Sequence, residues 1–118
     1  MFKHAKERIV TWPVTIRIPT ADGSGSTDEH EAKIKYLLLT KDDIRHIADI
    51  AGNDEKIFDV YRKHIVGWEP FATDENTGAP IEYSAENLRA LLVIPYIETA
   101  LSFGLMQASN GRAAAKNS

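Results

Sequence analysis

From Val10 the chain alternates. Even positions carry Val10, Trp12, Val14, Ile16 and Ile18, while odd positions carry Thr11, Pro13, Thr15, Arg17 and Pro19. A period of two predicts a strand with one face in a core. Pro13 and Pro19 have no N–H to give to a ladder, so this strand is expected at a sheet edge or interrupted. Residues 20–29 are rich in Gly and Ser without a period, which predicts a flexible loop. Alternation then resumes, with Ala32, Ile34, Tyr36 and Leu38 on one face and Glu31, Lys33 and Lys35 on the other. The two runs read as a long-looped hairpin. A lone hairpin is marginal in water, so helices must cover its apolar face.

The period lengthens after Thr40. Thr40 is a helix cap, and Asp42 and Asp43 fall in the first turn, where the helix dipole favours negative charge. Ile44, Ile47, Ala48 and Ala51 form the expected buried stripe, and Gly52 ends the helix. Asn53 caps a second helix over residues 54–66, with Ile57, Phe58, Tyr61 and Ile65 at helical spacing and Gly67 as its stop. Residues 68–83 read as an ordered loop, anchored by Trp68 and Phe71 before its tip and by Ile81 and Tyr83 after it. Ser84 caps a third helix carrying Leu88, Leu91 and Leu92, and Pro95 opens a fourth over residues 95–108. The fourth is apolar over most of its circumference, through Tyr96, Ile97, Ala100, Leu101, Phe103, Leu105 and Met106. Such a helix is buried on more than one side. The expected fold is α+β, an N-terminal long-looped β-hairpin followed by about four α-helices. Residues 1–118 are expected to form one domain, with 1–8 and 112–118 as flexible ends.

Composition narrows the function. Hydrophobic residues make up 43% and charged residues 26%, enough for a core without metals or staples. There is no cysteine, which excludes disulfides, thiolate nucleophiles and Cys-ligated zinc, and favours a reducing compartment. The basic N-terminus has no apolar run behind it, so no signal peptide is read there, and no apolar run is long enough for a bilayer. The net charge of −3 argues against a nucleic-acid partner. Lys3, Lys6, Arg8 and Arg17 gather early, and read as a solvated face rather than a phosphate site.

Candidate chemistry is sparse. His4, His30, His46 and His64 form no zinc motif. Asp42 and His46 share a helix face as an exposed ion pair, and His64 suits the end of the second helix as a cation near its dipole. Asp74-Glu75-Asn76-Thr77-Gly78 lacks the spaced ligands of a calcium loop and reads as a turn. Gly23-Ser24-Gly25-Ser26 feeds a strand and has no Lys-Ser or Lys-Thr pair, so it is not a phosphate cradle. No Gly-x-Ser-x-Gly elbow opens a helix, and no pair among the 17 acids stands out. No catalytic residue, metal site or cofactor is expected.

One stretch has a wider resemblance. Val66-Gly67-Trp68-Glu69-Pro70-Phe71 leads to Asp74-Glu75-Asn76-Thr77-Gly78-Ala79-Pro80-Ile81-Glu82-Tyr83, then to Ser84-Ala85-Glu86-Asn87 and Leu91-Leu92-Val93-Ile94-Pro95-Tyr96. A Trp-centred segment, an acidic Gly-Pro turn, an aromatic, a Ser-capped Glu-Asn helix and a Leu-Leu-x-x-Pro hinge follow in that order. The pattern resembles the tail assembly chaperones of long-tailed bacteriophages and their prophages. The opening Trp12-Pro13-Val14 with Ile16 and Ile18-Pro19, and the ending Ala115-Lys116-Asn117-Ser118, are similar too.

The resemblance implies a non-enzymatic protein of the host bacterial cytoplasm, absent from the mature virion. It implies binding to the tape measure protein, a long apolar and helical chain, and recruitment of tail tube protein. No cofactor, nucleic acid or membrane is implied. Many such chaperones also exist in a longer, frameshifted form, and Ala115-Lys116-Asn117 is compatible with the slippery heptamer A AAA AAC. The residues that would carry partner binding are Trp68, Phe71, Tyr96, Phe103 and Met106. Met adapts to varied surfaces, and helix docking uses anchors at this spacing. The competing reading of the same side chains is core filling, with Trp68 and Phe71 as pins for their loop. The exposed strand edge and the apolar last helix also suggest a homo-oligomer. The alternative function is a structural minor tail or connector protein retained in the virion.

Overall fold

The structure, a computed structural model, describes residues 1–112. Two long strands, β1 (Ile9–Pro19) and β2 (Thr27–Leu37), form an antiparallel hairpin. Helices α1 (Lys41–Asp49) and α2 (Asp54–His64) follow, then a short strand β3 (Ile65–Trp68), and then α3 (Ala85–Leu92) and α4 (Pro95–Ser109). The fold is α+β, a hairpin followed by four helices, with β3 completing a sheet of order β1-β2-β3.

The hairpin follows its alternation. Val14 and Ile16 of β1, and Ala32, Ile34 and Tyr36 of β2, are buried on one face. β1 is an edge strand, as its prolines require. The Arg8 carbonyl accepts from the Leu38 N–H at 2.9 Å, which puts even positions of β1 in the hydrogen-bonded pairs with β2. Pro13 and Pro19, at odd positions, therefore turn their missing donors outward. The connection is shorter than the composition of residues 20–29 suggests, because β2 begins at Thr27. It is also tied down. The Ser24 N–H donates to the Asp22 carboxylate at 2.9 Å, and the Thr20 N–H to the Ser26 carbonyl at 3.0 Å. Hydrogen bonds from Ser24 and from the Thr20 hydroxyl hold the Asp22 carboxyl at about 2.

All three expected caps form. Thr40 and Asp43 make a capping box, Asn53 accepts from the Lys56 N–H at 3.1 Å, and Ser84 accepts from the Asn87 N–H at 3.0 Å. The stripe of α1 is shallower than its spacing predicts. Ile44 and Ile47 are half-buried, Ala48 and Ala51 are exposed, and Ile50, beyond the last turn, goes inside instead. Short alanines do not reach the core from a helix that lies at the molecule's margin. Gly52, at φ 90°, reverses the chain into Asn53.

The second helix stops at His64, two residues before the expected end, and the chain becomes β3. Ile65 and Val66 are β-branched and prefer the pleated sheet to a helix end. Ile34 pairs with Trp68, Lys35 with Gly67 and Tyr36 with Ile65, so the register skips Val66. His64 is 3% exposed rather than solvated at the helix end, and its Nδ1 lies 2.7 Å from the Leu37 carbonyl oxygen. That bond joins the end of α2 to the end of β2. Asp42 accepts from Arg45 at 3.0 Å rather than pairing with His46. Arg17, grouped by composition with Lys3, Lys6 and Arg8, lies across the hairpin from Glu29 at 3.5 Å.

Helix α4 lies across the apolar face of the hairpin. Ile97, Ala100, Leu101, Gly104, Leu105 and Ala108 are buried there. Gly104 makes the approach possible, since a Cβ at that position would overlap Val14 and come within 2.7 Å of the Tyr36 hydroxyl. Pro95 supplies the first residue of α4, and α3 and α4 meet at a bend of 114°. No single helix among the described residues is long and apolar enough to cross a membrane. Of the expected flexible tail, 112–118, residues 113–118, with the Ala115-Lys116-Asn117 triplet, lie outside the described residues, while the Arg112 N–H donates to the Gln107 carbonyl at 3.0 Å.

Candidate functional site

The hairpin outreaches the helix that covers it. Its strands of 11 residues span about 36 Å, whereas the 15 residues of α4 rise about 22 Å. Beyond the N-terminal end of α4 the apolar face continues into a groove of about 610 Å³. That volume falls within the usual range for ligand sites.

Three parts of the chain build it. The floor is the core face of the hairpin, contributed by Ile16, Ile18 and His30. One wall is the bend between α3 and α4, with Leu91, Ile94, Tyr96 and Ile97. The other wall is the loop after β3, with Phe71, Ile81 and the carboxylates of Asp74 and Glu75 at its rim.

That second wall is fixed by hydrogen bonds. Trp68 Nε1 donates to the Ile81 carbonyl at 3.0 Å, and the Tyr83 hydroxyl to the Ile65 carbonyl at 2.6 Å. Edge-on contacts place Phe71 5.5 Å and Tyr83 4.9 Å from the Trp68 ring centroid. Within the loop, Thr73 and Pro80 form a bridge and the Ile81 N–H donates to the Ala72 carbonyl at 2.9 Å. Asp74 accepts from the N–H groups of Thr77 and Asn76, at 3.0 and 2.8 Å. Those bonds hold its carboxyl below the usual range, so it stays charged at the rim.

The five residues singled out for partner binding thus separate. Phe71 and Tyr96 meet across one groove. Trp68 is 8% exposed and acts behind the wall, as the pin of the loop. Phe103 and Met106 are 57% and 38% exposed and are not among the residues that line the groove. Ile16, Ile18, Ile94 and His30 are among the lining residues that were not singled out for binding. The alternation of β1 marked both isoleucines as core positions, and only the length mismatch between hairpin and helix reveals that Ile18 stays half open.

A second cleft, of about 390 Å³, lies between α1 and α2 around His64, Asp43, His46 and Asp59. His64 Nε2 stands 3.9 Å from the Asp43 carboxylate. Among the described residues no group of three or more His, Cys, Asp or Glu is placed to hold a metal ion. No family model, curated protein or solved structure matches the chain significantly.

Proposed function

We infer that this chain is a tail assembly chaperone of a long-tailed phage or prophage, binding the tape measure protein and helping to recruit tail tube subunits. The reading starts from the resemblance carried by residues 66–96. The observation that supports it is the open apolar groove in which Phe71 and Tyr96, from two separated parts of that stretch, meet over the hairpin's overhang. A long apolar helical client aggregates unless its surface is covered. Many copies of a small groove, each holding weakly, cover it reversibly, and self-association of the chaperone would multiply that effect. The encounter belongs in the host cytoplasm, before the particle is complete, and needs no cofactor.

The test is to look for a long, helix-rich reading frame next to this gene and to co-express its product with this chain. The chaperone reading expects the tape measure protein to move from the pellet to the soluble fraction with this chain bound. Replacing Ile18 by Glu should abolish that rescue. Stoichiometric recovery of this chain from purified particles would instead support a structural minor tail or connector protein.

A further inference from the structure

The groove restricts what can lie in it, through its floor, its size and its rim. The floor is the face of a sheet, not an edge. Ile16 pairs with His30 and Ile18 with Asp28, in the even register whose N–H and C=O groups bond between β1 and β2. An extended peptide laid on that face would bring backbone donors and acceptors to a surface with none to offer. A helix arrives with its own backbone already satisfied. In size, about 610 Å³ is roughly four times the ~150 Å³ cavity that holds one benzene. About four apolar side chains fill it, which is the stripe at i, i+3, i+4 and i+7 of two helical turns.

The rim is acidic. Asp74 and Glu75 line it, and among the described residues of the lining there is no lysine or arginine. Asp28, opposite Ile18 on the same pleated face, adds a third carboxylate beside the floor. Among the described residues of the lining, His30 is the one basic side chain. We propose that the groove seats one amphipathic helix of a partner protein, apolar stripe inward, with lysines or arginines flanking the stripe and facing Asp28, Asp74 and Glu75. The proposal rests on the binding role argued above and adds the chemistry of the partner.

The experiment uses labelled synthetic peptides and fluorescence anisotropy with the full chain. Two peptides share a Leu/Ile/Ala stripe at helical spacing and differ in Lys or Glu on its flanks. A third has the Lys peptide's composition with two prolines inside the stripe. The Lys-flanked helix should bind about fivefold or more tighter than the Glu-flanked one at low salt, a gap that narrows as salt rises. The proline peptide should not bind. In D28K/E75K the preference should invert. Both side chains are exposed, so the variant keeps its fold, which circular dichroism verifies. Equal affinity for the two helices, a Lys preference that survives D28K/E75K, or binding by the proline peptide comparable to or tighter than the Lys-flanked helix overturns the proposal. A dimer that excludes all peptides and dissociates in Ile18→Glu does so too, by assigning the groove to a second copy. If the Lys-flanked helix binds but the tape measure protein stays insoluble, only the chaperone reading falls. If the tape measure protein is held soluble but no peptide binds, only the helix seat falls.

Discussion

The Tyr36 hydroxyl donates to the Leu101 carbonyl at 2.7 Å, joining the middle of the sheet to the middle of α4. Burial pushes its ionisation far above the ordinary tyrosine value, so it remains a donor across the working pH range. Gly104 lies one turn further along α4 and admits that ring.

These two residues give the first prediction. Tyr36→Phe removes one buried hydrogen bond and should destabilise by about 1–2 kcal/mol. Gly104→Ala forces a methyl into Val14 and the phenol, and should destabilise by about 1–3 kcal/mol despite alanine's better helix propensity. Urea unfolding of both variants checks this. An alanine variant as stable as the parent would mean that the helix does not approach the sheet as described.

His64 predicts a local effect. Its ring ends α2 and holds the Leu37 carbonyl at 2.7 Å. His64→Leu keeps the volume but strands that carbonyl, at about 1–3 kcal/mol. Hydrogen exchange should show the Ile65–Trp68 amides losing protection before those of β1 and β2.

The capping box predicts a pH dependence. The Thr40 N–H, and then the Thr40 hydroxyl and the nearby His64, hold the Asp43 carboxyl below the ordinary value of 3.8, against an opposing push from partial burial. A depressed folded-state value means that the stabilisation is complete above 3.8 and is lost as pH falls through the lower, folded value. Asp43→Asn should therefore show a shallower loss of thermal stability than the parent below pH 3.8, and lower stability near neutrality. Melting curves across that range test both halves.

Phe103 and Met106 allow the surface roles to be separated. Both are exposed outside the groove. Phe103→Ser with Met106→Ser should leave binding of the Lys-flanked helix within about twofold of the parent, since neither side chain touches the seat. Any self-association through α4 should weaken, and sedimentation velocity measures that separately.

The hairpin and the four helices were legible because their periods and caps are local. Val14 and Ile16 repeat at two, Thr40, Asn53 and Ser84 stand before their helices, and Pro95 opens the last. The third strand was not legible, because Ile65 continues the helical spacing of Ile57, Phe58 and Tyr61. Only pairing with Ile34 and Tyr36, residues distant in sequence, decides its state. The run of β-branched Ile65 and Val66 behind the basic turn Arg62-Lys63-His64 was the available signal. Half of the groove was visible as Phe71 and Tyr96. The other half depends on how far α4 reaches along the hairpin, a relation between lengths that no single segment encodes.

The elbow between α3 and α4 decides which wall of the groove can give. Ile94 donates to the Leu91 carbonyl and accepts from the Glu98 N–H, at 3.1 and 3.0 Å, so both arms lock through one residue. That wall is a stiff bracket rather than a jaw. On the binding role proposed above, a bound helix would then leave by movement of the overhanging ribbon of β1 and β2 rather than by a swing of the helices.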